Sequence, residues 1–441
     1  MSARDATLLA VPQREAPSLR ADFSWTFLGT AVYAGGQLAT LMLLTKLTRP
    51  ELVGQYALGL AIAVPVITLA SLQLRLALVS DVYQKTHFGH YLSLRLLTTG
   101  LALLIILAIT QLLRYRWQLS SVVLMVGVAQ AIEAISELFH ARLQLYDRME
   151  GVSKSLISRT VLSALALTIG VYFSGSLLWG IAGIVLARAI VLLGYDIRER
   201  THGLAGQSKG PSRNEALKPR WDPRAQRELL SFNFRLGILW VLVSLNLAIP
   251  RYFIEYSLGE RALGIFSAIV SMRGAGDLVA FSLGLCAFTR LSRSYAAQNL
   301  IQFRSLLGKL LTLGAALGVC GIIVAIVAGR EILAILLRPE YAERADLLPW
   351  IMAIGGGGCM ALFLGVGMTA AKYYSAQIVL FTLTNLVVAA ASYVLIPRLG
   401  LMGAVFAMLI SMIIQLAGSV IILGMGMRKH KRVCTENAIA A

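Results

Sequence analysis

The side chains of this sequence that could do chemistry are charges and amides stranded inside apolar runs. Arg273 and Asp277 stand four apart, and so on one face of a helix, within such a run. Two readings fit the pair. It is either an internal ion pair that lowers the cost of placing both charges in lipid, or an arginine that meets a phosphate in bidentate geometry while the aspartate releases it or exchanges a proton. Gln130, Glu133, Glu137, His140 and Gln144 recur at spacings of 3, 4, 3 and 4. At roughly 100° per residue they fall within an arc of about 80°, one polar stripe on a helix. Two carboxylates in that stripe are costly unless paired or wetted, and Arg188, in another apolar run, is the natural partner. The pairing reads either as a structural network or as a cation or proton site.

Arg235 and Asn246 are eleven apart and share a face, and Arg75 stands at the end of its run. Arginines so placed also snorkel to the interface. Thr26, Thr30, Tyr33, Gln37 and Thr40 make an uncharged hydroxyl-and-amide face, suited to a glycan or to gluing helices together. The candidates for ligand contact are therefore Arg273, Arg235, Arg75, Asn246, Gln37 and Tyr33. Those for ion coupling or a buried network are Asp277, Glu133, Glu137 and Arg188. Gly355-Gly356-Gly357-Gly358 reads as a flexible or closely packed segment, or as a bending point.

The elements that position these residues must be membrane helices. The chain has 441 residues, 57% of them hydrophobic and 14% charged, against roughly 25% charged in a soluble domain. Mean hydropathy is +0.73. The apolar runs are continuous over about 20 residues, the length of a helix crossing lipid, and lack the alternation of barrel strands. An all-α polytopic membrane protein of about twelve spans follows, the first at 23–46 and the last at 401–427. The polar, Gly/Pro/Lys/Arg-rich stretch Asp196–Glu228 is expected to be a cytoplasmic linker. The expected organisation is a tail at 1–22, a six-helix bundle at 23–197, a basic linker at 198–229, a second six-helix bundle at 230–427 and a basic tail at 428–441.

Assigning cations near span ends to the nearer face gives 28 Lys/Arg on the inner side and 10 on the outer, or 19 against 10 without the linker. Both termini are thus expected in the cytoplasm. The net charge of +18 is mostly topology and needs no nucleic acid. The first 21 residues, polar and carrying Pro12 and Pro17, do not resemble a signal peptide, so Phe23 is expected to open an uncleaved first span. Cys286, Cys320 and Cys359 lie in apolar runs and read as buried reduced thiols. Short matches about 210 and 220 residues apart, Pro50–Tyr56 with Gly259–Phe266 and Trp179–Gly183 with Leu399–Gly403, point to two related halves of like orientation.

Several stretches resemble polysaccharide flippases of the multidrug/oligosaccharidyl-lipid/polysaccharide (MOP) exporter superfamily. They are Phe23-Ser24-Trp25, Pro50-Glu51-x2-Gly54-x-Tyr56, the Ser71–Asp81 end of the second span, Asn246-x3-Pro250-Arg251-Tyr252, the Arg290–Arg293 stretch, Pro339-Glu340-Tyr341-Ala342 and Pro397-x2-Gly400-x2-Gly403-Ala404. The resemblance covers nearly the whole chain. It implies twelve helices in two bundles forming a V, with spans 1, 2, 7 and 8 lining a central cavity. It implies a bacterial inner-membrane protein that turns an undecaprenyl-diphosphate-linked oligosaccharide from the inner to the outer leaflet, for O-antigen, capsule or exopolysaccharide. The implied partners are that lipid-linked oligosaccharide, membrane lipids, and polysaccharide polymerase or export machinery. Many relatives place an acidic residue before the arginine that ends span 7; Pro250 stands there in this chain, so no role is carried to it.

Enzyme signatures are missing. Gly308-Lys309 lacks a following Ser/Thr and has Phe303 where a phosphate-binding loop needs its first glycine. No His-Glu-x-x-His or Gly-x-Ser-x-Gly occurs, so the expectation is a transporter without cofactor or metal. The rivals are a cation-coupled multidrug antiporter of the same superfamily, whose cavity would be acidic or apolar, and a membrane polysaccharide polymerase or ligase, which would need a large external loop.

Overall fold

The computed structural model describes residues 19–80, 87–146, 148–198 and 218–440. Its helices are α1 (Leu19–Leu47), α2 (Pro50–Ser71), α3 (Leu74–Ser80), α4 (Phe88–Leu112), α5 (Trp117–Leu145), α6 (Met149–Ser174), α7 (Leu177–Val191), α8 (Pro223–Ser271), α9 (Gly274–Ala296), α10 (Leu300–Leu336), α11 (Pro339–Ala342), α12 (Leu347–Ala370), α13 (Tyr374–Leu399) and α14 (Leu401–Ala440). Among the described residues there is no strand, and twelve helical stretches are long and apolar enough to cross a membrane. The outside of these helices is apolar: Leu97, Leu101 and Leu104 on α4 and Val319, Ile323 and Ile326 on α10 are all exposed. Such a surface is solvated by lipid, and this is a multi-pass membrane protein.

Sequence signals set the helix ends. Pro50 and Pro339 open α2 and α11 from the first turn, where a missing N–H costs nothing. Asn299 caps α10 by accepting from the Gln302 N–H at 3.0 Å. Three irregularities matter for function. The second span breaks at Leu72 and Gln73, both non-glycine residues in the left-handed region (φ 47° and 51°). Each costs about 1–2 kcal/mol there, offset at Leu72 by burial in the cluster of Leu74, Leu78, Leu92 and Leu138. Leu192–Asp196 continues α7 as a π turn, which rotates Asp196 into the protein interior. In α8, Gly259 (φ 83°, ψ 176°) bends the chain between two spans without a loop, a conformation open to glycine and strained for other residues.

The chain divides into two compact units, residues 1–244 and 245–441. The division falls inside α8 because the start of that helix packs with the first unit: Leu229 joins the Leu72–Leu138 cluster and Gly237 lies against Leu72. The polar stretch read as a linker is shorter than expected. Asp196 is fully buried and residues from Pro223 onward are helical. Lys218–Gln226 is also tied to α4: the Arg220 N–H donates to Gly89 O at 3.1 Å, and Ser93 Oγ donates to Arg220 O at 2.7 Å while accepting from the Gln226 amide at 3.1 Å. The rest of the linker, 199–217, and the tail 1–18 lie outside the described residues, and of 428–440 only the backbone helix is described.

In the first unit α1 packs on α6 and α5 on α2, α4 and α7. A Cβ at Gly36 would come within 1.9 Å of Thr160 Cγ2, so α1 and α6 touch through a glycine. In the second unit α12 packs on α9, α10 and α14, and the four glycines of its Gly355–Gly358 run each have a use. A Cβ at Gly356 would meet Gly318 Cα of α10 at 2.4 Å, one at Gly357 would meet Met412 of α14 at 2.0 Å, and Gly355 and Gly358 face Arg273. The glycine run is close packing on three sides.

Candidate functional site

The polar stripe of α5 does not serve a single partner, because α1, α3, α6 and the π turn meet it at different heights. Glu133 is 8% exposed and sits between two arginines, with Arg188 Nη1 2.7 Å from Oε2 and Arg159 Nη2 3.3 Å from Oε1. Tyr33 on α1 donates to Glu133 Oε1 at 2.6 Å, and Gln37 donates to the Tyr33 hydroxyl at 3.0 Å. Arg188 also donates to Ala129 O at 2.8 Å, and the Arg159 guanidinium lies 5.5 Å from the Tyr33 ring. Four helices are thereby joined through one carboxylate. Two cations against one anion leave donors over: Arg159 Nη1, Arg188 Nε and Ser163 Oγ are buried without a hydrogen-bond partner. Arg159, Ser163 and Arg188 line a cavity of about 20 Å³ with Tyr33, Gln37 and Thr160, room for one water molecule.

Lower on the stripe, His140 Nε2 lies 2.9 Å from Ser155 Oγ. Ser155 donates to Asp196 at 2.5 Å, and Ser136 donates to the same carboxylate at 2.7 Å. The single hydroxyl proton of Ser155 is committed to Asp196, so the imidazole is the donor to Ser155. This order, His to Ser to Asp, holds the serine proton on the carboxylate side. It is the reverse of an activated nucleophile, in which histidine accepts from serine. At the end of the stripe Gln144 Oε1 accepts from Arg75 Nη2 at 3.4 Å. Glu137 is half-buried and within electrostatic range of Arg95 and Arg159. Arg95, on α4, is 1% exposed with all three side-chain nitrogens unpaired.

In the second unit Arg273 stands at the break between α8 and α9. Its Nε donates to Asp277 Oδ2 at 2.9 Å, and the glycine face of α12 leaves room for its side chain. The pair is more open than the Glu133 network: Arg273 is 14% exposed and Asp277 40%. Arg251, one residue past Pro250, is close enough to feel the charge of Arg273, and its Nε is buried and unpaired. Asn246 donates to Ser411 Oγ of α14 at 3.1 Å. Arg235 lies on α8, and its side chain is outside the described residues.

The structure thus gathers Tyr33, Gln37, Glu133 and Arg188 into one network, joins Arg273 to Asp277, and spends Asn246 and Arg75 on amide and hydroxyl partners. Tyr33, Gln37 and Thr40 line one small cavity together. Tyr33 is tied to Glu133, and Thr40 bonds its own backbone at Gly36 O, 2.7 Å. Sequence reasoning missed Arg159, Arg95 and Arg251, which lie inside α6, α4 and α8. It also missed Asp196, which sequence places with the polar linker. The cysteines need correction: Cys359 is buried, its Sγ 3.8 Å from Gly276 O, whereas Cys286 and Cys320 are exposed. An apolar run cannot distinguish protein interior from lipid. Among the described residues no group of three or more His, Cys, Asp or Glu is placed to hold a metal.

Comparison with known proteins bears on this arrangement. A family model described as "Polysaccharide biosynthesis protein" matches residues 19–294. The capsular polysaccharide biosynthesis protein CapF of Staphylococcus aureus is 25% identical over 398 residues, covering 90% of this chain and 96% of that protein. Among solved structures, a mutant form of the Vibrio cholerae MATE transporter VcmN has a TM-score of 0.64 at 12% identity, covering 94% of this chain and 96% of its own. A MOP-superfamily transporter from Pyrococcus furiosus, described by a reverse polarity of its binding pocket, has a TM-score of 0.62 at 13% identity, covering 92% and 94%. At such identities the solved structures speak to the fold, which is that of the MOP transporters.

Proposed function

We propose that this chain, which belongs to the polysaccharide biosynthesis protein family, flips an undecaprenyl-diphosphate-linked oligosaccharide repeat unit across the bacterial inner membrane by alternating access. The product would serve a surface polysaccharide such as O-antigen, capsule or exopolysaccharide, and both termini would face the cytoplasm. One observation carries the reading. Arg251 and Arg273 stand within electrostatic reach of each other at span depth. Asp277 pairs with Arg273 and is 40% exposed, while the Nε of Arg251 is buried without a hydrogen-bond partner.

Cations held at bilayer depth are costly and need an anion to offset the cost. A diphosphate is such an anion, and arginine meets it with two parallel hydrogen bonds. Asp277 then competes with the diphosphate for Arg273, which allows release. The fold was also compatible with a cation-coupled drug antiporter, but a cation site needs an uncompensated carboxylate. Glu133 already holds two arginines, and this favours an anionic substrate. The proposed role is transport, without covalent chemistry by the protein.

The test is complementation of a deletion strain. Arg273→Ala is expected to abolish surface polysaccharide with the protein present in the membrane at the wild-type amount, while lipid-linked repeat units accumulate in the inner leaflet. Arg273→Lys, a cation without the planar fork, should restore transport in part. Wild-type polymer from both Arg273→Ala and Arg251→Ala would remove the pair from the mechanism.

A further inference from the structure

The second unit holds a second basic feature, which begins at the far end of α9 from Arg273 and is unused by the proposal above. Arg290, Arg293, Ser294 and Ala297 of the α9 end face Gln302, Ser305, Leu306 and Lys309 of α10 across a cavity of about 390 Å³. Each set repeats at i, i+3, i+4 and i+7, so the cavity is built by one face of each helix in an antiparallel hairpin. Its back wall is rigid: Leu291, Phe303 and Leu307 are buried in one cluster, and the Phe303 ring packs edge-on to Tyr295 at 5.6 Å.

The charge in the cavity is uncompensated. No Asp or Glu occurs between Asp277 and Glu331 in the sequence, and none of Arg290, Arg293 and Lys309 is in an ion pair among the described residues. Arg293, in the last turn of α9, complements that helix end; Arg290 and Lys309 lie farther from it. Three exposed cations converge on one space, where they repel each other unless an anion enters.

Depth identifies the anion. After Lys309, residues 310–329 carry no charge. Twenty residues at about 1.5 Å each span about 30 Å, the thickness of the hydrocarbon core. Lys309 therefore marks the edge of that core, and the cavity lies in the adjoining headgroup layer. The phosphate that is abundant there belongs to a lipid.

We infer that the α9–α10 cavity binds the phosphate headgroup of an anionic phospholipid, with Arg290, Arg293 and Lys309 as its cationic contacts and Ser294, Gln302 and Ser305 as hydrogen-bonding ones. The acyl chains then run along the exposed apolar face of α10, past Leu313. This site does not depend on the transport reading.

Native mass spectrometry of the full chain in neutral detergent tests it, with phosphatidylglycerol or phosphatidylcholine added. Wild type is expected to retain one phosphatidylglycerol at about tenfold to hundredfold higher occupancy than phosphatidylcholine, from the attraction of three cations. The variant R290Q/R293Q/K309Q should lose that preference. Equal retention of the two lipids by wild type, a measurement that needs no variant, would overturn the inference. So would an unchanged preference in the variant. Displacement of phosphatidylglycerol by millimolar inorganic phosphate would also overturn it, in favour of a soluble phosphate site.

Discussion

In the first unit Glu133 is shielded on every side and bridged to Arg159, Arg188 and Tyr33, each from a different helix. In the second unit Asp277 is 40% exposed and holds Arg273 from its own helix, one turn away. Both are carboxylate–arginine arrangements at span depth, yet they do different work. A bridge between helices fixes their packing, and removing its centre leaves charges buried with no partner. A bridge within one helix constrains nothing beyond that helix and leaves the arginine able to exchange its partner. The first arrangement is a clamp; the second is suited to a ligand.

The largest expected effect tests the clamp. Glu133→Gln removes the carboxylate to which buried Arg159 and Arg188 are both paired, and breaking a buried pair costs about 3–5 kcal/mol. Thermal unfolding in detergent should shift to markedly lower temperature, and less protein should accumulate in the membrane. Replacing all three with apolar residues, Glu133→Leu with Arg159→Met and Arg188→Met, should recover much of the loss, since no charge is then left unpaired. If Glu133→Gln is as stable as wild type and alters the sodium or proton dependence of transport instead, the contrast between the units collapses and Glu133 becomes a coupling site.

How much of this was legible in the sequence depends on which physical signal carried it. Helix type and span number follow from hydropathy and length, which lipid enforces without regard to detail. The α5 stripe and the Arg273–Asp277 pair follow from helical period. What was not legible is the partner across helices. Arg188 was named as a partner because it is a cation inside an apolar run, but Arg159 reaches Glu133 from a position that nothing in local sequence relates to it. Asp196 sits in a polar stretch and is buried because a π turn rotates it inward. The broken helix at Leu72 and Gln73 also escaped, because neither residue type announces a left-handed backbone. The glycine run was visible, but whether it bends or packs depends on Gly318 and Met412, which come from other helices.

A middle-sized effect sharpens the comparison by asking whether openness in the second unit means looseness. Gly356→Ala would put a Cβ 2.4 Å from Gly318 Cα, a backbone atom that cannot rotate away. Parting α10 from α12 should cost about 1–3 kcal/mol, the usual range for overpacking. Gly365→Ala in the same helix meets nothing within 4 Å, so it should be neutral or stabilise by up to about 1 kcal/mol through helix propensity. Unfolding midpoints of the two variants, measured side by side, separate steric contact from flexibility. Equal midpoints would mean that α12 is not closely packed against α10.

The smallest effect on stability belongs to Asp277→Asn. A helix-internal pair with one partner 40% exposed contributes under about 1 kcal/mol, because solvent screens it and an i,i+4 bridge holds no second element. The unfolding midpoint should therefore stay near wild type, in contrast to Glu133→Gln. Transport should not. Asparagine cannot offer Arg273 a negative charge, so a bound diphosphate would have no competitor and would leave more slowly. The expected result is a normal amount of protein, tighter retention of the lipid-linked substrate and a lower rate of polymer appearance. A drop in stability as large as that of Glu133→Gln would show that Asp277 is also a clamp, and the two units would then differ in exposure alone.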